Sequence, residues 1–300
     1  MDVRDYGCLL ENITLNIETN DPVKILGRHA DNRTIFDVKV LEIHDSVMTT
    51  IPSMIFVEMP NLEALEILNS GTFVLEAGSF FFANHLRDIR INNNNIPRIT
   101  GTPFIHAHEL EMVFLFDNHI QEIEPTAFIG LDKLFHLSIA VNNVKELSAA
   151  HFAPMKSLER LYMIKNEISV VGNDWFLANP LLTDIDIELN RITAIGPRFL
   201  DGLNNLEFVL LSRNICVDQN FEISEELTVD DVRSALQGCF DNFLPPPIVG
   251  GEFTFEVHGN MTIFDQKGDA VLRIVNWTFS EIFLNFFHTF NVVQNYETIK

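Results

Sequence analysis

The stretch ELEMVFLFDNHIQEIEPTAF, residues 109–128, decides how this chain is built. Leu110, Val113, Leu115, Asn118, Ile120, Ile123 and Phe128 fit the pattern L-x-x-L-x-L-x-x-N-x-L, followed by a second apolar run and a phenylalanine. One copy would prove little. Here the frame recurs every 24 residues without an insertion: Leu41/Ile43, Leu65/Ile67, Ile89/Ile91, Val113/Leu115, Leu137/Ile139, Leu161/Met163, Ile185/Ile187 and Val209/Leu211. Three residues further on stand Ser46, Ser70, Asn94, Asn118, Asn142, Asn166, Asn190 and Asn214. The alternation predicts one short strand per copy, with its apolar side chains turned inward. A fixed period of this length predicts stacked copies and a parallel sheet. A side chain at the Asn position can satisfy backbone groups where the chain turns inside the coil, which would otherwise be buried unpaired.

The second half of each copy carries Ile51, Leu75, Ile99, Ile123, Leu147, Val171 and Ile195, and five residues later Phe56, Phe80, Phe104, Phe128, Phe152, Phe176 and then Leu200. These phenylalanines read as a core spine rather than as a ligand box. They account for much of a lopsided aromatic choice, 26 Phe against two Trp and three Tyr.

With 47% hydrophobic residues in 300, the chain belongs with packed domains and not disordered ones. A net charge of −22 argues against nucleic acid and anionic membrane, both of which call for an excess of Lys and Arg. There is no apolar run long enough for a membrane span, and Met1-Asp-Val-Arg-Asp5 lacks a signal peptide's apolar core. Four sequons, at Asn12, Asn32, Asn260 and Asn276, point instead to export, with the leader absent from this chain.

Residues 1–36 precede the frame and read as an N-terminal cap, with a strand suggested in Cys8–Ile17. A cap is needed because a first repeat would otherwise leave its apolar interior open to water. Residues 37–214 are the repeats and 215–243 a C-terminal cap. In that cap, Cys216 takes a core position, Ser224 or Thr228 can start a helix, and Cys239 follows. The two cysteines read either as a disulfide closing the cap or as two buried thiols. Cys8 has no evident partner. Pro245-Pro-Pro-Ile-Val-Gly-Gly251 marks a boundary. The extension 244–300 has strand-like segments and then Phe279, Phe283, Phe286, Phe290 and Val293, whose 4-3-4-3 spacing makes one apolar helical stripe. That stripe either docks on the protein's own body or supplies a homodimer contact.

From Leu41 to Cys239 the chain resembles the secreted, insect-type leucine-rich-repeat proteins of the typical 24-residue subclass. The segment Tyr6 to Thr14 is similar to their N-terminal cap, and Asn214-Ile-Cys216 with Cys239 to their C-terminal cap. The resemblance implies an α/β solenoid, a horseshoe with a parallel sheet on its concave face, that binds other proteins there in innate immunity, adhesion or matrix.

No Gly-rich phosphate loop, C-x-x-C pair or nucleophile elbow appears, so neither an enzyme nor a cofactor is expected. His106-Ala-His108 lacks a third metal ligand. Asp184, Asp186 and Glu188 alternate on the concave side without a pocket for acid–base work, and Arg160 beside Asp184 suggests a cross-strand ion pair. The concave positions should be polar, yet Met112, Phe114, Phe116, Ala140, Val141, Tyr162 and Ile164 gather in the middle repeats, and Phe208 and Leu210 follow. Contiguous apolar surface marks an interface, and aromatics are common anchors. The expected function is extracellular recognition of a protein ligand through this face, with the three acids selecting basic groups. A structural or matrix role, self-associating through the extension, is the alternative. The phenylalanine register is directly testable. Phe128→Ala should cost about 3–5 kcal/mol in a thermal or denaturant melt, and an unchanged melt would show the frame to be misdrawn.

Overall fold

The computed structural model describes residues 6–15, 32–71, 74–243, 260–264 and 270–275, which fall in two compact units, Met1–Pro245 and Pro246–Lys300. In the first unit a ten-stranded sheet runs in chain order. Its strands are β1 Gly7–Glu11, β2 Val40–His44, β3 Ala64–Leu68, β4 Asp88–Asn92 and β5 Met112–Phe114. They continue with β6 His136–Ser138, β7 Arg160–Tyr162, β8 Asp184–Asp186, β9 Phe208–Leu210 and β10 Asn220–Glu222. Leu41, Leu65, Ile89, Val113, Leu137, Leu161, Ile185 and Val209 pair in parallel, each with the next. All eight are fully buried. The 24-residue frame is therefore the strand register itself.

Outside that frame, β1 pairs with β2, placing Cys8 opposite Leu41. At the other end β10 runs antiparallel to β9 and closes the series. From β5 onward the regular strands stop one residue before Leu115, Ile139, Met163, Ile187 and Leu211. Pairing nevertheless continues, for instance from Leu115 N–H to Ser138 O at 2.8 Å and from Ile139 N–H to Tyr162 O at 2.9 Å.

The asparagines join neighbouring copies. Asn142 donates Nδ2 to Leu115 O (2.9 Å) in the previous copy and accepts at Oδ1 from Ile120 N–H (3.0 Å). Asn166 does the same with Ile139 O and Val144 N–H, and Asn190 with Met163 O and Ile168 N–H, all at 3.0 Å. These backbone groups lie in the interior, where an unmade bond would cost roughly 1–3 kcal/mol each.

The phenylalanines stack beneath, with centroids 5.1 Å apart for Phe80–Phe104 and 6.3 Å for Phe104–Phe128. Phe152 to Phe176 is 5.0 Å. At the last step the ring comes from Phe199, 5.6 Å from Phe176, while Leu200 is buried beside it. The spine thus shifts by one residue at its C-terminal end instead of ending in Leu200 alone.

A Cys216–Cys239 disulfide, with Cα atoms 5.3 Å apart, ties the end of the last repeat to helix Gln237–Asp241. Closing a loop of that length contributes roughly 3 kcal/mol. Thr228, not Ser224, caps the preceding helix Val229–Ala235, and Asp231 returns a carboxylate to Thr228 N–H at 2.8 Å. Cys8 is a half-buried free thiol. In the second unit Asn260–Phe264 pairs antiparallel with Ala270–Val275. The Phe279–Val293 stripe and Asn276 lie outside the described residues.

Turning the Asn position inward forces the residue before it into the left-handed region. Asp45, Asn69, Asn93 and Asp117 tolerate this at φ 47–56°, but Val141 adopts φ 55° as well. A β-branched residue is disfavoured there. Val141→Asn should therefore stabilise the first unit by about 1 kcal/mol. This would appear as a melting temperature raised by about 2–4 °C.

Candidate recognition face

Strand side chains alternate between the core and the open face of the sheet, so the parallel register writes columns across that face. One column reads Asp88, Met112, His136, Arg160, Asp184, Phe208, and the next Arg90, Phe114, Ser138, Tyr162, Asp186, Leu210. Phe116, Ile164 and Glu188 follow just past the strand ends. Of these, Phe116 is the most open, at 42% exposure. The register brings Met112, Phe114, Tyr162, Asp184, Asp186, Phe208 and Leu210 together. Ala140 is only 4% exposed and is floor rather than surface, and Val141 belongs to the turn.

The centre of the face is a train of rings. Phe114 and His136 have centroids 4.7 Å apart, and His136 and Tyr162 are 5.0 Å apart and nearly perpendicular. The Arg90 guanidinium lies 5.2 Å over the other side of Phe114 and is held by Asp88 through Nη2–Oδ2 at 2.8 Å. The sequence reading missed His136. The signal is in the sequence, since His136 stands 24 residues from both Met112 and Arg160 and so falls in the outward column one step before Ser138. Its Nε2 is buried and has no hydrogen-bond partner among the described residues. Burial first, and then the Arg160 charge, hold its pKa below the usual imidazole value.

Toward the C-terminal end the face becomes acidic. Asp184 meets Arg160 at 3.8 Å, the expected cross-strand pair, at a separation that makes it a weak one. Glu188 is occupied by the cap, accepting from Asn220 Nδ2 at 2.8 Å and from the Ser212 hydroxyl. Among the described residues the Asp186 carboxylate accepts the Glu188 N–H alone, at 3.1 Å. A cleft of about 260 Å³ lies here, between Tyr162, Asp184, Asp186, Phe208 and Leu210 over Ile185. Its aromatic and aliphatic walls above carboxylates suit a cationic side chain. A larger cavity of about 420 Å³ at Glu63, Asn84, His85, Arg87 and Glu109 is a weaker candidate. Its charges are already paired, as Lys39–Glu63, Arg87–Glu111 and Lys133–Glu109.

The remaining expected sites lie elsewhere. His106 packs edge-on against Phe81 at 4.5 Å, away from the sheet. Asn12 and Asn32 are exposed, and Asn260 opens a strand of the second unit.

Burial pushes the Asp186 carboxyl up to about 6 from its ordinary 3.8, and the nearby Glu188 charge adds to this against a backbone N–H that opposes it. A carboxyl with a raised folded-state pKa binds more protons in the native state, so its contribution to stability falls as pH rises from about 4 to about 6. Asp186→Asn should therefore melt higher than the parent at pH 7, with the gap closing toward pH 4. Melts across that range would check it, and a gap independent of pH would contradict the buried-carboxyl account.

Leucine-rich-repeat sequence families match most of the first unit. The BspA type leucine rich repeat region matches residues 6–134, and the leucine rich repeat matches 108–168 and 164–215. No curated protein sequence matches the chain. Among solved structures, the Toll–Spatzle complex, a molecular hub in Drosophila development and innate immunity, aligns with a TM-score of 0.51 at 18% identity, covering 60% of this chain and 24% of that one. A TLR13–ssRNA13 complex aligns at 0.54 and 19%, covering 60% and 26%. A Leptospira interrogans leucine-rich-repeat protein aligns at 0.50 and 17%, covering 59% and 44%. The chain spans less than half of each, and such identities speak for the fold alone. Register, core and family matches agree that this chain is a leucine-rich-repeat solenoid.

Proposed function

We propose that this chain is an exported recognition module that binds a protein ligand across the open face of its sheet. The observation that carries the reading is the Phe114–His136–Tyr162 ring train, which places half-buried aromatic surface and an unpartnered ring nitrogen at the centre of an exposed sheet. A ligand that covers these rings removes their remaining apolar surface from water. Phe116 and Ile164 extend the apolar area, and Met112 flanks it. The cleft around Asp186 then selects a basic side chain, and Asp184 adds to its negative field.

Two neighbours of the fold were solved in complexes, Toll with Spatzle and TLR13 with ssRNA13. For this chain the electrostatics favour a protein over a nucleic acid. The net charge is −22, and Asp184, Asp186 and Glu188 would repel phosphates. The Cys216–Cys239 disulfide and the exposed sequon asparagines Asn12 and Asn32 support an oxidising, extracellular compartment, with innate immunity or cell-surface recognition as its setting. Among the described residues no helix is long and apolar enough to cross a membrane.

The test uses the immobilised full chain and extracellular fluid from its source. Phe114→Glu with Phe116→Glu should abolish capture of the ligand that the parent retains and leave the melting temperature unchanged. Phe81→Glu, on an exposed ring outside the sheet, should leave capture intact. Normal capture by the double variant would overturn the assignment.

A further inference from the structure

We infer that Glu42, His44 and Glu66, at the N-terminal end of the same sheet face, bind a first-row divalent metal ion of the zinc type. The parallel register sets Glu42 of β2 directly opposite Glu66 of β3, and His44 lies two residues along β2 on the same face. One ligand atom from each comes within 4.8 Å of the other two, and all three residues are half-buried. The His44 Nε2 already sits 3.0 Å from Glu66 Oε1.

Like charges directly opposed across two strands are destabilising, and elsewhere on this face three acids have side-chain partners. Asp88 holds Arg90, Asp184 meets Arg160, and Glu188 bonds to Asn220. The Glu42 carboxylate has neither a hydrogen bond nor an ion pair among the described residues, its backbone being paired within the sheet. The cation nearest in register, Arg90 beside Glu66, is committed to Asp88. The cluster therefore lacks positive charge at the point where three donors converge.

The donor chemistry narrows the ion. One imidazole nitrogen and two carboxylate oxygens suit zinc, with bonds of about 2.0–2.2 Å. Calcium would need some six to eight oxygens. Tetrahedral bonds of that length separate donors by about 3.3 Å, so a rotamer change at Glu42 completes the set. Three protein ligands leave a fourth position open toward the sheet face, where water or a ligand's own donor can enter. Glu11 of β1, opposite His44 in register, adds a carboxylate at the rim.

The experiment titrates the full chain with Zn²⁺ by calorimetry, and repeats the titration in excess Ca²⁺ and Mg²⁺. One saturable site per chain that Ca²⁺ and Mg²⁺ do not displace is expected. Affinity should fall on the order of tenfold or more in both His44→Gln and Glu42→Gln, since even residues behind metal ligands cost that much when lost. Glu42→Gln removes no side-chain bond among the described residues and relieves the Glu42–Glu66 repulsion, so its melting temperature should equal or exceed the parent's and a folding defect cannot mimic the loss. Absence of saturable binding, or binding indifferent to both substitutions, would overturn the site. Neither result bears on capture of a protein ligand at Phe114.

Discussion

The interior asparagine constrains everything else in the first unit. Its side chain must reach both a carbonyl and an N–H of the previous copy, as Asn142 does with Leu115 O and Ile120 N–H. An amide can do both only when consecutive copies hold a fixed offset, so the bond that neutralises the buried backbone also sets the register. Serine at the first two positions makes shorter reaches. Ser70 Oγ bonds Leu68 O at 2.8 Å, and Ser46 Oγ bonds His44 O at 2.7 Å. The N-terminal copies are thus held less by side-chain bridges and more by five-residue strands, which run longer there than in β5–β9.

A fixed register has an electrostatic consequence. Residues one period apart become neighbours, so a chain with 42 acidic and 20 basic residues must arrange its charges by column. Just before the strands the series Lys39, Glu63, Arg87, Glu111 alternates in sign, and its members pair as Lys39–Glu63 and Arg87–Glu111. On the open face the same rule is broken where Glu42 stands opposite Glu66, while across the rings Asp186 stands between Tyr162 and Leu210 with no opposite charge in its column. Exposed pairs in the alternating column each contribute little, on the order of 0–1 kcal/mol. Among the described residues of the first unit no element packs over those positions, and there charge can be left uncompensated for a ligand.

Much of this was legible in the sequence because period and register coincide. The core positions of Leu41 through Val209, the inward Asn and the phenylalanine spine all follow from counting 24 residues. The Cys216–Cys239 pair was legible from its placement after the last copy. What escaped was set by geometry that no period records. Phe199, rather than Leu200 alone, supplies the last ring because the final turn shifts by a residue. Ala140 looked like surface, but it sits 4% exposed beneath larger neighbours. His136 was in register yet overlooked, since a histidine among apolar columns shows its role only when its ring is seen between Phe114 and Tyr162. The same holds for the acids. Three in alternation looked alike, but the cap bonds Glu188, and of the two that line the cleft Asp184 meets Arg160 while burial raises the pKa of Asp186.

The open face is therefore graded along the stack rather than uniform. Strands in a sheet lie about 4.8 Å apart, so five steps from Glu66 on β3 to Asp186 on β8 span roughly 24 Å. Between these acidic ends lie Arg90, Phe114, His136 and Tyr162. A flat ligand with one apolar anchor would use only the middle. A ligand that contacts the Asp186 end as well as the rings would carry a cationic group beside an apolar centre, and one that also reaches Glu66 would be extended along the stack. Shape and charge together thus restrict partners more than either alone, because a basic surface without the apolar centre leaves the rings wet, and an apolar one without the bases desolvates the carboxylates unpaired. The repeat supplies that ruler at no extra cost, since the asparagine that fixes the offset inside also fixes the distance between charges outside.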